Sequence, residues 1–149
     1  MITKEQFENG MTYSEYRSMI DELFEKGKTT GTDHSEGMLN YTKMNIQRMK
    51  RLDKTIVLDQ ELIAQLKSVP CPVNWLLITE AWCGDAAQNV PILSKMAEAS
   101  PNINLKLILR DENLDIMDQY RTNGGRAIPK LVILDGEMKE IATWGPRPS

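Results

Sequence analysis

Residues 82 to 86 read Trp82-Cys83-Gly84-Asp85-Ala86, a cysteine beside a tryptophan, placed where an apolar run gives way to a helical pattern. A cysteine at a helix start lies among backbone N–H groups without intrahelical partners, at the positive end of the helix dipole. Both features favour thiolate over thiol. A thiolate attacks a disulfide, but a lone one cannot close the resulting mixed disulfide by itself. The other cysteine, Cys71, precedes the apolar run 73–79 and falls at the opposite end of that strand. Eight extended residues separate the two thiols by roughly 25 Å at ~3.3 Å each, whereas a disulfide needs Cα atoms within about 7 Å. Cys71 therefore reads as a small packing residue. Glu80 and Asp85 are the nearby acids, able to pass protons or to oppose the thiolate by like charge. Asp85 is equally a first-turn acid favoured by the helix dipole.

The elements that must position Cys83 follow from hydrophobic period and caps. Thr12 and Glu15 have capping-box spacing, and Tyr16, Met19, Ile20, Leu23 and Phe24 repeat at helical period before Gly27, which predicts a helix over 12–27. A second helix is predicted over 35–52, with Met38, Tyr41, Met44, Met49 and Leu52 on one side. The methionines of this segment read as core filler, although a thioether surface also suits partner binding. His34, the only histidine, reads as a solvated loop residue. Asp59 caps a short helix with Leu62, Ile63 and Leu66 inward, and Pro70-Cys71-Pro72 stops it. Beyond it come a strand over 73–79, a helix through 91–99, a strand over 103–109, a helix over 114–120, and a hairpin of 131–134 and 139–143 turning at Asp135-Gly136. That order is an α/β domain with a mixed sheet and helices on its faces. Residues 1–54 are expected to form a helical extension packed on a domain of residues 55–149.

With 149 residues, 41% hydrophobic and 26% charged, the chain supports one domain with a core plus an extension. A net charge of −3, with interspersed basic and acidic residues, argues against nucleic acid as a partner. No segment has the length to span a bilayer, and the Met1-initiated N-terminus lacks the apolar stretch of a secretory signal. With only two cysteines as well, the expected location is cytoplasmic and no membrane partner is expected.

The chain resembles the thioredoxin superfamily over roughly residues 73–145. Trp82-Cys83-Gly84 is similar to the family's Trp-Cys-Gly after a central strand. Pro91 lies eight residues after Cys83, where the family has a helix-kinking proline. Arg126-Ala127-Ile128-Pro129 before Leu131-Val132-Ile133-Leu134 resembles the family's cis-proline segment facing the active cysteine, and Gly136 and Gly145 match glycines in and after the last hairpin. The resemblance implies a cis Ile128–Pro129 bond, accessible at small cost for X–Pro, and an exposed Ile128 backbone able to pair with an extended substrate.

Three departures qualify what the resemblance implies. Ala86 stands where dithiol members have the resolving cysteine, and Leu77 where many have a buried acid. The end of the chain, Trp144 to Ser149, is too rich in proline for the usual last helix, so either the N-terminal helices cover that sheet face or apolar sheet remains open. The implied activity is monothiol thiol-disulfide exchange in cell redox homeostasis. Cys83 is the nucleophile, Trp82, Gly84, Asp85, Ile128 and Pro129 contact substrate, and the partner is a protein or low-molecular-weight thiol or disulfide. No bound cofactor or metal is required. The alternative is a redox-inactive binding or adaptor module on the same scaffold.

Overall fold

A computed structural model describes residues 1–145. At its centre lies β1 (Val73–Thr79). β2 (Ile103–Leu109) pairs with β1 in parallel from Val73↔Ile103 to Thr79↔Leu109. On the other side β3 (Lys130–Leu134) pairs antiparallel with β1, and β4 (Glu140–Trp144) antiparallel with β3, giving the order β2-β1-β3-β4.

Side chains alternate across a strand, so a strand apolar at every position feeds two cores. Trp75 and Leu77 of β1, Leu107 and Leu109 of β2 and Leu131 of β3 enter the first. Over them lies α5 (Gly84–Glu98), with Ala87, Val90 and Leu93 buried. Tyr16 and Ile20 of α2 (Tyr13–Glu25), Ile46 and Met49 of α3 (Glu36–Thr55), and Leu66 of α4 (Gln60–Lys67) complete this core. Leu76, Ile78, Ile108, Val132 and Leu134 form the second core. It is closed by Ile116 and Met117 of α6 (Leu114–Met117) and by Ile2 and Phe7 at the N-terminus.

The expected helices over 12–27 and 35–52 are present, the first with Thr12 and Glu15 in a complete capping box and Gly27 at φ +71 just past its end. Their inner faces differ in one respect. Tyr41 and Met44 of α3 are exposed, and the buried stripe runs instead through Thr42, Asn45, Ile46 and Met49. Polar side chains hold those inward places because each finds a buried partner. Thr42 shares a 2.6 Å hydrogen bond with Thr29, and Asn45 donates to the Ala81 carbonyl at 2.9 Å.

Other elements also depart from expectation. Lys4–Glu8 forms a short helix, α1, started by a Thr3–Gln6 capping box. The chain then lies along β2, where Met11 and Leu107 exchange two backbone hydrogen bonds of 2.7 Å. α6 ends at Met117 rather than reaching residue 120, and Asp118 just after it is held by Arg121 and Arg126. In the hairpin the turn is made by Asp135, whose carboxylate accepts from the Glu137 and Lys139 N–H groups, while Met138 and not Gly136 takes positive φ, at 68°.

No helix follows β4 among the described residues. The expectation of a helix-free end rests partly on Pro146 to Ser149, which lie outside them. Both outcomes foreseen for the uncovered face occur. Helices α2 and α3 close the first core, while Trp75, Leu131, Ile133 and Trp144 of the sheet face Ile92 and Met96 of α5 across an open apolar groove of about 320 Å³. No described helix is long and apolar enough to cross a membrane.

Candidate functional site

Cys83 is the N-cap of α5, in extended conformation at φ −85 and ψ 120. Parallel β1 delivers the chain to this point, and the Cys83 N–H bonds the Glu80 carbonyl at 3.3 Å to turn it into the helix. The thiol is half-buried. It donates to the Ile128 carbonyl at 3.7 Å, and the Asp85 and Ala86 N–H groups face the sulfur. The Ile128–Pro129 bond is cis. Ile128 is only 7% exposed, because its side chain packs in the second core, and its carbonyl turns toward the thiol. Pro129 is buried beside it, while Gly84 and Asp85 are exposed on the other side of the sulfur.

Electrostatics at Cys83 run in both directions. Burial pushes the thiol above its ordinary value, the Ala86 and Asp85 N–H groups pull it down, the Asp85 charge raises it and Arg110 lowers it. The net direction is upward: desolvation outweighs the helix start. Sequence reasoning identified the opposing influences of helix start and acids, and burial decides between them.

A polar shell holds the loop that carries the thiol. Ala81 is gripped at both ends of its peptide, its N–H donating to the Thr30 hydroxyl at 2.9 Å and its carbonyl accepting from Asn45. Next to it Glu80 is 1% exposed. One carboxyl oxygen accepts from the Asp111 N–H at 2.9 Å, and the other faces Thr30 without a well-formed hydrogen bond. Burial raises the Glu80 pKa. Asp111 in turn holds the Arg110 guanidinium at 2.9 Å, and that guanidinium lies over the Trp82 ring at 4.9 Å. Gly31, at φ +82, lets the preceding loop approach: a Cβ there would sit 3.1 Å from the Asp111 carboxylate and 3.5 Å from the Trp82 indole nitrogen.

The site thus brings together Trp82, Cys83, Gly84 and Asp85 with Ile128 and Pro129. Ala86 is buried at 1% exposure in the first core, and Leu77 is wholly buried there. Cys71 lies at the far end of β1 from Cys83, as expected, but it is exposed rather than packed. Sequence reasoning missed Thr30, Asn45, Arg110 and Arg48, whose guanidinium lies against Gly84. Asn45 carried a usable signal: a polar residue on the inward stripe of an amphipathic helix calls for a buried partner. Arg110 and Thr30 carried none, since loop contacts across the fold leave no period. Among the described residues no group of three metal-binding side chains occurs.

A family model described as Thioredoxin matches residues 31–149. The chain belongs to the thioredoxin family. The fold also has counterparts among solved structures. A crystal structure of a protein of unknown function from Pseudomonas aeruginosa aligns at a TM-score of 0.66 and 20% identity, over 99% of this chain and 79% of that one. An HIV epitope-scaffold aligns at 0.67 and 20%, with the same coverage. At that identity the likeness concerns fold alone. No curated protein matches this thioredoxin-family chain.

Proposed function

We propose that the protein is a monothiol thiol-disulfide oxidoreductase acting in cytoplasmic redox homeostasis through the motif Cys83-Gly84-Asp85-Ala86. The Cys83 thiolate attacks one sulfur of a disulfide, forming a mixed disulfide and releasing the other sulfur as thiolate. An external thiolate then attacks the mixed disulfide, leaves with the bound half as a new disulfide, and regenerates Cys83. Trp82, Gly84 and Asp85 border the approach to the sulfur, and Ile128 and Pro129 wall its opposite side. The single observation that carries this reading is the placement of Cys83 at the start of α5, its sulfur 3.7 Å from the Ile128 carbonyl and Ala86 where a second thiol would stand.

A raised thiol pKa is compatible with exchange. The thiolate fraction falls, but a more basic thiolate is the better nucleophile, so part of the loss is recovered. Exchange is then slow at neutral pH and accelerates toward alkaline pH. The adaptor reading draws on the same upward shift, since a thiol that stays protonated needs no turnover. Incubation of the Cys71→Ser protein with hydroxyethyl disulfide between pH 7 and 9, followed by intact mass, separates the two. An adduct on Cys83 that forms faster with pH supports exchange, and its absence throughout that range favours the adaptor.

A further inference from the structure

We infer that Arg48 selects the disulfide that Cys83 attacks, favouring small disulfides that carry carboxylates; this rests on the exchange reaction proposed above. Residues three apart on a helix are surface neighbours, and Asn45 of α3 is bonded to the Ala81 carbonyl. Arg48, one turn further on that face, is thereby delivered to the rim of the thiol site. Its Nη1 lies 3.6 Å from the point a Cβ on Gly84 would occupy, and Gly84 is exposed and adjacent to Cys83.

The arginines around the site differ in what they already hold. Arg110 is engaged by the Asp111 carboxylate, the Arg126 carbonyl and the Trp82 ring, and Arg126 is bidentate with Asp118. Among the described residues Arg48 makes no hydrogen bond or ion pair, and neighbouring Asp85 forms no bridge to it. A guanidinium with a half-buried stem and free donors is suited to bidentate capture of a carboxylate. Arg48 and Cys83 both lie beside exposed Gly84, so a compact disulfide bearing a carboxylate can meet the guanidinium and the sulfur together. In the reaction, the carboxylate docks on Arg48 while Cys83 displaces one half of the disulfide as thiolate and binds the other.

The test uses the full chain carrying Cys71→Ser, with and without Arg48→Gln or Arg48→Lys. Rates of adduct formation on Cys83 are measured by intact mass with oxidised glutathione, hydroxyethyl disulfide and cystamine, which are anionic, neutral and cationic. Each rate is compared with the Arg48 protein for the same reagent, so the intrinsic reactivity of the three reagents cancels. Arg48→Gln should slow oxidised glutathione about two- to fivefold, the upper part of the range of an exposed charge pair, leave hydroxyethyl disulfide within about 1.5-fold and accelerate cystamine. Arg48→Lys should recover part of the loss, and high salt should shrink it. Equal slowing of all three reagents, or no change with any, overturns the inference and leaves exchange standing. If Arg48→Gln does not fold, a glutathione rate of the Arg48 protein that is flat with salt overturns it instead. A Cys83 that reacts with none of the three overturns exchange and this inference together.

Discussion

Ala86 and Glu80 are the two side chains on which the chemistry turns. Ala86 is the third residue of α5 and lies three positions after Cys83. Side chains at that spacing in a first turn are about 5–6 Å apart at Cβ and need only a modest adjustment to bridge. Ala86→Cys should therefore lose two free thiols on mild oxidation and gain turnover against insulin disulfide with dithiothreitol, at a stability cost of about 1–3 kcal/mol for overfilling a buried site. Persistence of both thiols after oxidation would show that the α5 start cannot close a disulfide. Glu80 makes a pH prediction. Its folded pKa is raised, so between the unfolded value near 4.3 and the folded value the folded state holds the extra proton. Stability associated with Glu80 is complete below the unfolded pKa and is lost as pH rises through the folded one. Glu80→Gln, which keeps an acceptor for the Asp111 N–H, should flatten the fall in Tm that begins as pH rises past the unfolded value. Parallel Tm profiles for the two proteins would remove the assignment. The motif at 82–86 was readable because a cysteine between strand and helix has a local pattern; the upward direction of its pKa was not, because burial belongs to the assembled fold.

Among the elements, α3 is the one whose role the sequence disguised. Its hydrophobic residues suggested a stripe through Tyr41 and Met44, yet Thr42 and Asn45 face inward. Periodicity ranks residues by apolarity, and a polar side chain with a buried partner escapes that ranking. The strands, in contrast, were legible almost to the residue, since a short apolar run bounded by turn residues has few alternatives. Asn45→Ala removes the hydrogen bond to the Ala81 carbonyl and leaves that buried acceptor unpaired, at about 1–3 kcal/mol. Alkylation of Cys83 should change relative to Cys71 in the same protein, because only Cys83 hangs on the Ala81 loop. A Cys83 rate unchanged beside a lowered Tm would mean that α3 braces the fold without positioning the thiol.

On the scale of the whole molecule, the two cores draw on different parts of the chain. The first gathers α2, α3, α4 and α5 on one sheet face, whereas the second depends on the N-terminal residues Ile2 and Phe7 to finish it. Nothing in residues 1–11 had marked them as core, since a single Ile and a single Phe carry no period. Deleting residues 1–11 exposes two large side chains' worth of apolar surface, each about 1.5–3 kcal/mol. Urea denaturation should show a loss of roughly 3–6 kcal/mol, and an unchanged midpoint would mean that the second core closes without them.

The same N-terminal segment has an effect at the sheet's margin. Met11 occupies the outer side of β2, while β4 pairs with no strand beyond β3 among the described residues. A sheet with two open margins can add strands at both; here the bridge at Leu107 interrupts the β2 margin, so two molecules joined at β4 would keep only short runs of free backbone from which a fibre could extend.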